Sequence, residues 1–513
     1  MGTRTFIKGT IILIAAGLTT RILGFINRIV TANILGAEGI GLYNMAFPTL
    51  LLIITLTQLG LPVAISKLTA EAAPEHNNRK IKQILAVSLT VTGILSIIFT
   101  IFLVWSASFF AKHLVTDERA LYSLLAITPI IPVTAVSAVL RGYFQGKQNM
   151  KPTAVSQVIE QVVRISLVAV CTNALLPYGL EFAAAGAMLS VVAGEGASLL
   201  YMLWRFKHDK PLPLRHRFFH SLKGGGRVFQ DLMAVALPAT GSRLVGSVSL
   251  FMEPIIIAHS LALAGFSTAA ATAQYGELSG FVIPLLLLPT FITHSFSVAL
   301  VPAVSEAAAA RDYGMIQRRL RQTLRTGLIA GSFCACFLFV FAHPVMNVMY
   351  DSPESAYLLQ VMAPFSLFLY MQGPLQAVLQ GMNLARTAMF NTLSGAVIKM
   401  SLLFLFTSQP ELGITGAALA VAVNMVLVTL LHFKVVTKAA GMILEGRAAL
   451  FIPAAAACAV FGTNALLHWW EPAIPELAEL LTASAGAGFV FAALLWAAGY
   501  FNWSHWRKIS SIR

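Results

Sequence analysis

Residues Lys8 to Leu35 read KGTIILIAAGLTTRILGFINRIVTANIL, an apolar stretch with Arg21 and Arg28 inside it. A helix needs about 20 apolar residues to cross the hydrocarbon of a bilayer, and this stretch meets that length. A guanidinium held inside such a helix costs roughly 2.5–3.5 kcal/mol on insertion scales. Arg21 and Arg28 are separated by about two helical turns, so they point the same way, about 10 Å apart along the axis. One arginine near a helix end snorkels to the headgroups. Two on one face, the second about five turns into the span, predict a polar cavity built to hold an anion.

The rest of the chain has the same character. Of 513 residues, 57% are hydrophobic and 11% are charged, against about 25% charged in ordinary soluble domains. The composition excludes a soluble enzyme and predicts an all-α polytopic membrane protein. A formal charge of +14 in a soluble protein would point to nucleic acid. Here the basic residues gather in alternate short connections, as membrane topology requires, and no nucleic-acid partner is expected. Cys171, Cys334, Cys336 and Cys458 all fall in apolar stretches and read as small buried hydrophobes. Cys334-Ala-Cys336 lacks the further ligands of a zinc site, so no metal is expected. The first span is too long and too basic for a cleavable signal and reads as a retained transmembrane helix.

Stretches of spanning length recur about fourteen times. They lie near 8–35, 41–70, 82–111, 120–146, 152–177, 182–206, 228–262, 275–308, 319–343, 355–383, 387–408, 413–438, 447–469 and 477–500. Odd-to-even connections carry Glu38, Glu181, Asp351, Glu354, Glu411, Glu471, Glu476 and Glu479, with Lys112 and Arg119 as basic exceptions. Even-to-odd connections carry Arg79, Lys80 and Lys82; Arg141, Lys147 and Lys151; Arg205 to Arg227; Arg311 to Arg325; Arg386; and Lys434, Lys438 and Arg447. Both termini are basic, through Arg4 and Lys8 and through Arg507, Lys508 and Arg513. The positive-inside rule therefore places both ends in the cytoplasm of a multi-pass cell-membrane protein, with an even number of spans.

A weak duplication runs through the spans. Phe144-Gln145-Gly146 matches Leu379-Gln380-Gly381, and the basic residues Arg164 and Lys399 follow each glycine at the same spacing. Pro48-Thr49 and Pro62-Val63-Ala64-Ile65-Ser66 echo Pro289-Thr290 and Pro302-Ala303-Val304-Ser305, and Arg21 has its counterpart in Arg243. Six spans followed by six in the same orientation predict a transporter with its binding site between the halves. The expected domains are 1–226 (spans one to six with the basic linker), 227–440 (spans seven to twelve) and 441–513 (two added helices and a tail).

Intramembrane polar residues supply the candidate site. Arg21, Arg28 and Arg243 are expected to share an anion-facing cavity, because a planar guanidinium binds pyrophosphate through bidentate, charge-assisted contacts and stays ionised; the alternative is that each pairs with a carboxylate or reaches the headgroups. Asn27 adds an amide beside Arg28 or serves helix packing. Arg164 follows Glu160 at the favourable ion-pair spacing and reads first as a structural pair, then as a cavity residue. Lys399 has Gly395 where Arg164 has Glu160, which makes it the better cavity candidate of the two. Glu195, Glu253 and Glu277 are expected to be counter-ions, or sites for a coupling cation or proton. No nucleophile–base set, HExxH pair or phosphate loop is present, so neither catalysis nor a cofactor is expected.

The opening residues carry a resemblance. Thr5 to Thr10 (TFIKGT), Arg21 to Arg28 (RILGFINR), Gly39 to Tyr43 (GIGLY) and Leu56 to Lys67 (LTQLGLPVAISK) resemble the stage V sporulation protein B family, within the multidrug/oligosaccharidyl-lipid/polysaccharide exporter superfamily. The resemblance implies a V-shaped pair of six-helix lobes around a central cavity, with the last two helices attached to the second lobe. It also implies export of a polyprenyl-pyrophosphate-linked glycan or peptidoglycan precursor for spore cortex or wall, with membrane lipids and cell-wall synthesis enzymes as partners. Arg21, Arg28 and Arg243 match the cavity arginines of related flippases by their place in the repeat. Span two departs from that pattern, because its lysine, Lys67, sits at the cytoplasmic end. Two rival readings are a cation-coupled multidrug antiporter of the same fold and a membrane glycan polymerase.

Overall fold

A computed structural model describes the backbone of residues 2–72, 77–208, 225–441, 446–470 and 475–500, and most of their side chains from residue 17 onward. Most of the predicted basic linker, Glu471, and the C-terminal Arg507, Lys508 and Arg513 lie outside the described residues, as do the side chains of Arg4 and Lys8.

The described elements are helical. The first, α1 (Gly2–Gln58), runs for 57 residues, about 85 Å if straight and far longer than the hydrocarbon is thick. Gly36 divides it, with φ 65° and ψ −176°, a conformation that glycine adopts without a Cβ clash. The result is two spans where the sequence predicts two. A turn at Leu59 and Gly60, both at positive φ, leads into α2 (Leu61–Ala72). Then come α3 (Asn78–Phe109), α4 (Ala120–Ile127), α5 (Ile130–Gly146), α6 (Lys151–Leu175), α7 (Leu180–His208) and α8 (Gly226–Leu263).

Twelve described segments are long and apolar enough to cross a membrane. The count differs from fourteen in two places. Spans one and two form the continuous stretch Gly17–Ala72. Span eight is divided into Thr268–Gly276, a π-helical Glu277–Val282, Ile283–Leu287 and Thr290–Ala309. Pro284 and Pro289 lack the amide that a continuous ladder needs. Pro48, which the sequence pairs with Pro289, instead sits inside the helical part of α1 beyond Gly36, so the duplication does not extend to where the helices break.

Packing gathers the chain into two units: Met1–Gly280 with Ser408–Pro410, and Phe281–Thr407 with Glu411–Arg513. In the first unit, Leu61, Ile65, Ile84, Leu85, Tyr143, Phe144 and Leu232 join α2, α3, α5 and α8. A second cluster of Leu50, Ile53, Leu103, Leu124, Ile131 and Met188 joins α1, α3, α4, α5 and α7. A seam of small residues binds α1 to Thr268–Gly276. A Cβ on Gly276 would lie 1.8 Å from the Ala37 carbonyl oxygen, and one on Gly41 2.1 Å from that of Thr272. Such close backbone approach is the usual use of glycine between membrane helices.

In the second unit, Leu320, Leu324, Leu375, Val378, Ile452 and Phe491 form one core. It holds the two C-terminal helices, Gly446–Trp470 and Glu476–Ala497, against Tyr313–Val340. The buried Tyr370 hydroxyl donates to the Leu286 carbonyl oxygen at 3.0 Å, beside the break at Pro289. The cysteines are free; Cys171, Cys334 and Cys336 are half-buried as expected of small apolar side chains, but Cys458 is exposed, because its position falls on the outer face of its helix.

Candidate functional site

Along α1 the buried side is marked by Asn27 and Thr31, 7% and 2% exposed. Arg21 and Arg28 are both exposed, about a quarter-turn around the same helix. Gly24 lies between them and abuts α6: its Cβ would be 3.6 Å from Gln161 Oε1. The arginine pair therefore borders the α1–α6 contact. Asn27 does not reach the open side; its Oδ1 is buried without a hydrogen-bond partner, and the Thr31 hydroxyl donates to its carbonyl oxygen at 2.7 Å.

Arg243 on α8 is also exposed. One turn on, Ser247 donates to the Arg243 carbonyl at 3.1 Å and meets the Thr55 hydroxyl of α1 at 2.8 Å. Arg243 thus lies next to an α1–α8 crossing within the first unit. Among the described residues no hydrogen bond or ion pair engages the Arg21, Arg28 or Arg243 guanidinium.

Arg164 behaves differently. Its Nη2 donates to Glu160 Oε1 at 2.8 Å, one turn back on α6, which is the structural pair its spacing predicts. Glu195, on α7, is 4% exposed and meets Arg141 Nη2 at 2.7 Å. The same Nη2 lies 3.7 Å from Glu160 Oε2. Glu195, Arg141, Glu160 and Arg164 thus form one alternating chain of charge. Gly194 makes it feasible, since a Cβ there would come within 2.7 Å of the Glu160 carbonyl oxygen. Arg141, read from the sequence as part of a basic connection, lies inside α5. Its basic neighbours Lys147 and Lys151 obscured that, and the one clue was its position a full turn before Gly146.

Lys399 belongs to the second unit and is 8% exposed, more buried than a cavity cation is expected to be. Its helix, Ala385–Thr407, packs closely on Gly413–Ala440. A Cβ on Gly395 would lie 2.2 Å from Val428 Cγ2 and 2.9 Å from Asn424 Oδ1. Asn391 meets the His432 ring at 3.2 Å along the same contact. Gly395 replaces the carboxylate of Glu160 because there is no room for a side chain.

Glu253, on α8, and Glu277, at the start of the π-helical segment, are both half-buried. Glu253 acts electrostatically on Tyr275 of the neighbouring helix, the kind of off-helix surrounding its position called for. Each has a partner in the structure.

The basic exceptions Lys112 and Arg119 also find partners. Lys112 Nζ is 3.3 Å from Glu118. Arg119 donates to Glu38 at 2.7 Å and to Asp117 at 2.9 Å. Asp117, 2% exposed, also accepts from Thr272 Oγ1 at 2.8 Å. Burial pushes the Asp117 carboxyl upward, but donors from Arg119 and Thr272 and the Arg119 charge outweigh it and hold it below its ordinary value. The Asp117 hydrogen bond raises Arg119 in turn, ahead of the opposing effect of burial and the further help of Glu38. Sequence inspection missed this cluster because Glu38 and Thr272 reach Arg119 and Asp117 from distant parts of the chain.

The chain matches the polysaccharide biosynthesis protein family over residues 6–308 and the MatE family over residues 278–405. It is 57% identical over 438 residues to the stage V sporulation protein B of Bacillus subtilis (strain 168), covering 85% of each chain. The fold is similar to that of the lipid II flippase MurJ in an inward closed conformation, with a TM-score of 0.71 at 14% identity over 94% of this chain and 98% of that one. It is similar also to an inward-facing multidrug resistance MATE family transporter of the MOP superfamily, with a TM-score of 0.65 at 16% identity over 82% of this chain and 94% of that one. By its matched residues and its identity to that relative, the chain belongs to the polysaccharide biosynthesis protein family, in the branch of stage V sporulation protein B.

Proposed function

We propose that this membrane transporter moves a polyprenyl-pyrophosphate-linked glycan or peptidoglycan precursor across the cytoplasmic membrane by alternating access, in spore-cortex or wall synthesis. The observation that carries the reading is that Arg21, Arg28 and Arg243 are exposed in apolar helices and have no hydrogen-bond or ion-pair partner among the described residues. Three guanidiniums with no counter-charge among the described residues suit a pyrophosphate and disfavour a cationic drug. The family match and the lipid II flippase fold support the same substrate class. The lobes of the cycle are those of the repeat, 1–226 and 227–440, with 441–513 attached to the second and both termini cytoplasmic. Asn27 and Arg164 serve as packing and ion-pair residues beside the arginines, and Lys399 supports the second lobe. Wall-synthesis enzymes consume the exported substrate.

Arg21→Ala with Arg28→Ala tests the reading in liposomes loaded with a lipid-linked pyrophosphate glycan. A charge-assisted contact is worth about 1.5–3 kcal/mol, so losing two is expected to slow flipping at least a hundredfold at equal membrane levels. Full activity in the double variant would refute the anion site. Dye efflux by the wild type would favour the drug antiporter instead, and a polymerised glycan product would favour the polymerase.

A further inference from the structure

The charge chain of Glu195, Arg141, Glu160 and Arg164 is electroneutral, yet it is not a closed structural cluster. The Nε atoms of both Arg141 and Arg164 are buried with no hydrogen-bond partner. The two carboxylates share a single guanidinium nitrogen, at 2.7 Å for Glu195 and 3.7 Å for Glu160, so a proton on either one relieves the repulsion between them. The Glu160 side chain is the more open of the two, 14% exposed against 6%, and it has the looser hold on Arg141. The next residue, Gln161, directs its unsatisfied Oε1 at Gly24, between Arg21 and Arg28. The helix that carries Glu160 and Arg164 therefore packs on α1 through Gln161, at the glycine between the two arginines.

We infer that Glu160 is a proton-binding site that links proton uptake to anion capture by Arg21 and Arg28. The inference rests on the anion reading proposed above for those arginines. With Glu160 ionised, two carboxylates cancel two guanidiniums and the network adds nothing to the field at α1. A proton taken from the aqueous phase converts the Glu160 carboxylate to the neutral acid while both arginines keep their own protons. The network then carries a net charge of +1 and adds to the attraction for a pyrophosphate. Release of the anion lets Glu160 return the proton, so one proton travels with each substrate. The charged groups around Glu160 are Arg141 from α5, Glu195 from α7 and Arg164 from α6 itself, with Arg21 and Arg28 flanking the α1 contact. A carboxylate held by two guanidiniums only for rigidity would make no such link.

The test is calorimetric binding of inorganic pyrophosphate to the full-length protein in lipid nanodiscs, at about pH 6 and about pH 8. Pyrophosphate itself titrates, so the readout is the difference in pH slope between wild type and Glu160→Gln. One linked proton contributes up to about tenfold in affinity per pH unit. Wild type is expected to bind more tightly in acid by that margin relative to Glu160→Gln, and Glu160→Asp is expected to keep the wild-type slope. Equal slopes for wild type and Glu160→Gln would overturn the inference. Should Glu160→Gln not fold, Glu195→Gln removes a charge from the same network and is expected to move the slope to lower pH; an unmoved slope overturns the inference equally. Arg21→Ala with Arg28→Ala separates the two readings. Lost binding with equal slopes keeps the anion site and removes the proton site, whereas retained binding with different slopes does the reverse.

Discussion

Arg141 and Glu195, 54 residues apart in the chain, meet through Nη2 and Oε1 at 2.7 Å. The contact joins α5 to α7 and supplies the cation that a nearly buried carboxylate requires. Arg141→Ala leaves Glu195 desolvated and unpaired, and removing one partner of a buried pair costs about 3–5 kcal/mol. A marked drop in the thermal midpoint of the purified protein is expected, with part of it restored by adding Glu195→Ala. An unchanged midpoint in Arg141→Ala would show that the pair carries no such weight.

The seam between α1 and Thr268–Gly276 has no slack. A Cβ on Gly276 meets the backbone oxygen of Ala37 at 1.8 Å, and backbone cannot swing aside as a side chain does. Overpacking costs about 1–3 kcal/mol, occasionally more, so Gly276→Val is expected to reduce the yield of folded protein on size exclusion. Gly462, inside Gly446–Trp470, has nothing within 4 Å of its Cβ position. Gly462→Ala there is expected to be neutral or stabilising by up to about 1 kcal/mol, and equal losses in both variants would contradict the seam.

Asp117 sets an acid limit. Its carboxyl is held below the ordinary value near 3.8, so the stability it contributes is present above that value and is lost as pH falls through the lower, folded-state value. Arg119 is held above its ordinary value, so its contribution persists throughout the neutral and mildly alkaline range. Thermal midpoints followed downward from about pH 5 are expected to fall less steeply in Asp117→Asn than in wild type, from a lower plateau. Parallel acid limbs would remove Asp117 from the account.

Part of the candidate site was legible before the fold. The Glu160–Arg164 pair followed from spacing on one helix, because residues four apart share a face whatever surrounds them. Arg21 and Arg28 stood out for the same local reason. Arg141 did not, because its charge reads as topology until α5 is seen to extend past it and α7 to approach at Gly194. Lys399 was placed correctly on its helix, but its burial depends on the fit of Gly395 against Val428, which one strand of text does not contain.

The sequence by itself determined a multi-pass helical membrane protein with a cationic first span. These follow from hydropathy and charge, which act over one or two helical turns. Only the tertiary structure decided which charges are neutralised and which stay open. Glu195 found Arg141, and Asp117 found Arg119 and Thr272, while Arg21 and Arg28 kept no partner among the described residues. Those outcomes depend on how closely helices approach, and glycines at 194, 276 and 395 set that distance through the side chains they lack.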